Sequence, residues 1–123
     1  MHGEAAREKR EIPVACNRAT LTAEQRERQR VLIGRLRADA KEVRELEDGY
    51  AFGHTPDRTV LLAMAEFVAN ERLCCPFFEF GLTVERDGGP IWLRITGEGE
   101  AKRVLEAEMG GSPLRRAIAP EAS

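Results

Sequence analysis

Aromatic side chains are scarce in this chain of 123 residues, at 6% with one Trp and one Tyr, and cysteine is limited to three. Neither sign of charge dominates, since 19 basic and 21 acidic residues leave a net charge of -2. That balance supplies no field that would gather nucleic acid or an anionic membrane surface. No apolar run approaches the roughly 18 residues that a membrane span needs. Met1 to Glu11, with six charged side chains, lacks the apolar core of a secretory leader. A cytoplasmic protein is expected, and in that reducing compartment three cysteines do not make a disulfide framework. A metal site, a redox thiol and simple burial stay open. No Cys-x-x-Cys spacing is present, so ordinary thioredoxin activity has little support.

What is present fits a single globular domain: 42% hydrophobic and 33% charged residues, in a length able to bury a core without cross-links. Residues 1–11 read as a disordered N-terminal tail, residues 12–109 as one α+β domain, and residues 110–123, rich in Gly, Pro and Ala, as a flexible C-terminal tail.

Ile12 to Ala15 reads as a short strand with Cys16 at its end. Thr22 then caps a long helix, about Ala23 to Ala40, with Gln25 completing a reciprocal cap. Leu32, Leu36, Ala40 and Val43 recur at helical spacing, and the arginines between them read as a solvated face. Glu47-Asp48-Gly49 predicts a turn joining strands Glu42 to Leu46 and Tyr50 to His54. Thr55 is expected to cap a second helix beginning at Pro56 and running to Cys74 or Cys75. Phe78 to Arg86 and Ile91 to Thr96 read as another hairpin, and Gly97 to Met109 as a closing helix. The order β-α-β-β-α-β-β-α implies an antiparallel sheet with helices on one face, a ferredoxin-like variant. If the first helix instead continues to Leu46, the order is β-α-β-α-β-β-α, which is thioredoxin-like.

The chemistry concentrates at Glu71-Arg72-Leu73-Cys74-Cys75-Pro76. Pro76 cannot continue a helix and disfavours helical geometry in the residue before it, so Cys75 is expected in a final, partly exposed turn. If each element crosses the domain once, Cys16 ends at the same edge as Cys74 and Cys75. The Glu47-Asp48-Gly49 turn and Tyr50 belong to that edge, and His54 to the opposite one. Thiolates select Cu(I), Zn and, by the same softness, Hg. Cys16, Cys74 and Cys75 are therefore the candidate metal ligands, with Glu71, Arg72 and Tyr50 as supporting residues. Glu71, three and four positions before the pair, could give an oxygen ligand or accept a proton; Arg72 nearby would favour a thiolate. The helix C-terminus opposes thiolate formation, which favours a bound metal over a highly activated nucleophile.

Plainer readings stand beside these. Cys is often a small core hydrophobe, Phe77, Phe78 and Phe80 read as core strand residues, and Glu71 as a surface acid. Tyr50 reads as an edge residue with its hydroxyl in water, and His54 as a surface residue at a strand end.

The pattern Glu71-Arg72-x-Cys74-Cys75-Pro76-Phe77-Phe78-x-Phe80, with Leu46 to Phe52 and Cys16 to Leu21 upstream, resembles a small, largely uncharacterised bacterial family. Similar segments occur joined to MerR-type heavy-metal-responsive regulators. The resemblance implies heavy-metal or mercury handling, with Cys16, Cys74 and Cys75 as the matching thiols. No helix-turn-helix portion is recognisable here.

The sequence thus favours thiolate binding of a soft metal ion for sequestration, sensing or delivery, with a homodimer admissible. The alternatives are a thiol enzyme, acting on disulfides or a carbon-metal bond, and an interaction module with structural cysteines.

Overall fold

The computed structural model describes residues 14–109. The expected tails at 1–11 and 110–123, with Ile12 and Pro13 of the expected first strand, lie outside the described residues. The fold is α+β: three helices and a four-stranded antiparallel sheet among the described residues. A single 3-10 turn, Arg18–Thr20, leads into helix α1, Ala23–Asp39. Thr22 accepts from the Gln25 backbone while the Gln25 side chain accepts from the Thr22 backbone, the reciprocal cap expected from the sequence.

The helix stops at Asp39, so the continuous helix to Leu46 does not form. Strands β1, Glu42–Leu46, and β2, Gly49–His54, make a hairpin across Glu47-Asp48 instead. Gly49 is required there, because a Cβ would stand 2.0 Å from the Ile95 carbonyl oxygen. Helix α2, Arg58–Cys74, starts two residues later than expected, capped by Asp57 rather than Thr55. Asp57 offers a carboxylate to the Val60 N–H, a stronger cap than a threonine held before proline. Strands β3, Phe78–Val84, and β4, Ile91–Gly97, form the second hairpin. Helix α3, Ala101–Glu108, is shorter than the expected closing helix because Gly97 still belongs to β4.

Val14 and Ala15 lie in a bend rather than a strand. The strand order is β1-β2-β4-β3. Tyr50, Phe52 and His54 of β2 stand opposite Ile95, Leu93 and Ile91 of β4, and these six side chains are buried. All three helices touch this face. Phe67 of α2 meets Phe80 edge-on, the Leu36 carbonyl of α1 accepts a hydrogen bond from His54 Nε2 at 3.0 Å, and Glu106 of α3 accepts from Tyr50. The other face carries Arg44 stacked 4.3 Å from the Trp92 ring centroid. His54 is therefore buried, not at the surface, and the Tyr50 hydroxyl is bonded to Glu106 at 2.6 Å rather than to water. No helix among the described residues is long and apolar enough to cross a membrane.

Candidate metal centre

The site grows from the C-terminal end of α2. Val60, Ala63, Met64, Phe67, Glu71 and Cys74 make up its buried side, the spacing of one helix face. Glu71 thus occupies a core position, 1% exposed, and the surface reading of it is corrected. The helix ends as Pro76 requires: the Cys75 N–H still bonds the Glu71 carbonyl, and Cys75 itself leaves helical geometry. Cys75 is fully buried, not partly exposed.

Cys16 reaches this end through the 3-10 turn. The Asn17 N–H donates to the Cys74 carbonyl at 2.7 Å, using one of the orphan acceptors of the helix terminus. The Asn17 side chain accepts from Ala19 and fixes the turn. Cys16 and Cys75 are joined in a disulfide with a Cα separation of 4.5 Å, within the usual span. Cys74 is a free, buried thiol 3.6 Å from the Cys75 sulfur.

Four side chains surround the sulfurs. Glu71 places its oxygens 3.4 Å from Cys75 Sγ and 3.9 Å from Cys74 Sγ. The Gln29 side chain donates to Glu71 at 2.8 Å and to the Phe67 carbonyl at 3.0 Å. Arg18 donates to Cys74 Sγ at 3.5 Å, stands 4.0 Å from Glu71 and pairs with Glu108. Arg72, by contrast, is exposed. The guanidinium beside the sulfurs comes from Arg18, across the disulfide, rather than from the helix that carries Cys74.

Burial, reinforced by the neighbouring Glu108, pushes the Glu71 carboxyl up to about 8 against the opposing pull of Gln29 and Arg18. The folded environment therefore favours the neutral form of the Glu71 carboxyl. Burial, with Glu71 next, also pushes the Cys74 thiol up to about 11, despite Arg18. Cys74 is not a ready nucleophile in this state.

One donor atom each from Cys16, Glu71, Cys75 and Glu108 lies within 4.8 Å of the others, a group that could hold a metal ion. Cys74 is outside that group of four but next to two of its members. Tyr50 belongs to a neighbouring arrangement, bonded to Glu106, which sits on α3 two residues before Glu108. Sequence reasoning missed Gln29, Arg18 and Glu108. Gln29 carried a readable signal, since it precedes Leu32 and Leu36 by three and seven residues on the buried stripe of α1. Arg18 and Glu108 carried none, because their meeting depends on the tertiary approach of a loop and the last helix.

Comparison with known proteins finds no matching family model, no matching curated protein and no matching solved structure.

Proposed function

We propose that the reduced protein binds a thiophilic metal ion through Cys16 and Cys75, with Glu71 and Glu108 supplying oxygen donors, for sequestration, sensing or delivery. The observation that carries this reading is the convergence of four ligand atoms, from three separate parts of the chain, within 4.8 Å. A mixed sulfur and carboxylate set suits Zn, while the two thiolates alone satisfy Cu(I) or Hg, which accept fewer ligands. The association with heavy-metal handling is consistent with the Glu71 to Phe80 motif. Cys74 stands beside this group, and the four-donor group is complete without it.

Titration of the reduced protein with Zn(II) by calorimetry, and with Hg(II) by thiolate-to-metal absorption, tests the reading. One ion per chain is expected, with at least a tenfold loss of affinity in Cys16→Ser or Cys75→Ser. Unchanged affinity in the double variant removes the site.

The covalent bond between Cys16 and Cys75 favours a second reading, a thiol–disulfide exchange protein. Turnover of a small disulfide substrate by the reduced chain, with Cys75→Ser inactive, would select it over metal binding.

A further inference from the structure

We infer that metal occupancy at this centre is controlled by a low-molecular-weight disulfide, which oxidises Cys16 and Cys75 to the observed bond and expels the ion. This rests on the metal-binding reading and adds its regulation. The same two sulfurs serve as ligands and as disulfide partners, so the two states exclude each other. A disulfide sulfur no longer carries the negative charge of a thiolate, the form that ligates metals, and is a poor donor to a cation.

The burial pattern orders the chemistry. Cys16 is partly exposed on the loop, whereas Cys75 is fully covered. A small disulfide, RSSR, therefore meets Cys16 first. The Cys16 thiolate attacks one sulfur, an S–S bond to the chain forms, and RS⁻ leaves. The Cys75 thiolate then attacks the Cys16 sulfur of that mixed disulfide and expels the second RS⁻. The two protein thiolates together lose two electrons, RSSR gains two, and the metal departs with its charge unchanged. Cys74 takes no part: it is the one free thiol of the oxidised chain and is buried.

The loop is held in the oxidised form by contacts other than the disulfide, namely the Asn17 to Cys74 backbone bond and the Arg18 to Glu108 pair. Those contacts keep Cys16 over the helix end when two small thiols, RSH, reduce the disulfide by the reverse exchange and become RSSR, so release is reversible without refolding.

The test loads the full-length reduced chain with Zn(II), adds oxidised glutathione, and follows both Zn(II) capture by a chromophoric chelator and the free-thiol count. Release should proceed in step with a fall from three free thiols to one, with Cys74 the remaining thiol by peptide mapping. Cys74→Ser should release the ion at the wild-type rate, and Cys75→Ser should trap glutathione on Cys16. Retention of Zn(II) after the disulfide has formed, release without thiol loss, or glutathione trapped on Cys75 in the Cys16→Ser chain but never on Cys16 would each overturn the inference. A reduced chain that takes up no Zn(II) from the outset sinks the metal reading itself. That failure is distinguishable because it appears before any oxidant is added.

Discussion

Glu71 concentrates the site's energetics in one side chain. An unfolded carboxyl of this type ionises near 4.3, whereas burial and Glu108 hold the folded one protonated to about 8. Between those values the folded chain binds more protons than the unfolded one, so stability falls as pH rises through this window and levels off above it. In the oxidised, metal-free protein, Glu71→Gln should flatten that slope and raise stability above pH 8, where the buried carboxylate would otherwise be charged. Urea unfolding at a series of pH values measures both, and an unaltered slope would show that Glu71 is not the titrating group. Glu71 could be found in the sequence as an acid on the apolar stripe that Phe67 and Cys74 continue. Its neighbour Arg72 could not be ranked below Arg18, because guanidinium reach depends on which side of the helix the loop crosses.

At the level of elements, local signals carried furthest where turn and cap chemistry is specific. The Thr22 cap, the Glu47-Asp48 hairpin and the Pro76 stop all sit where residue type demands them. The start of α2 shifted because two caps competed, and the carboxylate of Asp57 reaches the Val60 N–H. His54 was misread for a physical reason: periodicity gives a face but not its cover, and α1 lies over that end of β2. Glycine shows how strongly position decides. Gly49→Ala pushes a methyl against the Ile95 carbonyl and should cost about 3 kcal/mol. Gly34→Ala, in α1 with open space around its Cβ, should instead stabilise by about 1 kcal/mol. Thermal melts of the two variants should move in opposite directions; equal shifts would contradict the packing described for β2.

For the whole molecule, the joining of Cys16 to Cys75 across 59 residues is the dominant long-range constraint. Closing a loop of that length should contribute about 4 kcal/mol relative to the reduced chain. Guanidinium unfolding of metal-free protein with and without dithiothreitol measures it, and coincident midpoints would mean that the bond adds nothing. Sequence parity anticipated that these cysteines lie near one another, although by way of a strand, whereas Val14 and Ala15 form a bend. The convergence instead comes from a backbone bond between Asn17 and Cys74. Such a bond joins segments distant in the chain, and composition and spacing carry no trace of it.

The disulfide also divides the protein mechanically. It encloses α1, β1, β2 and α2 in a covalent ring and leaves β3, β4 and α3 beyond it. Tension arriving at Cys16 passes straight to Cys75, so roughly 200 Å of extensible chain bears no load until the bond is cut. Oxidation state thereby sets how far the polypeptide can be drawn out, with the sulfur pair acting as a tether that shields the first half from strain.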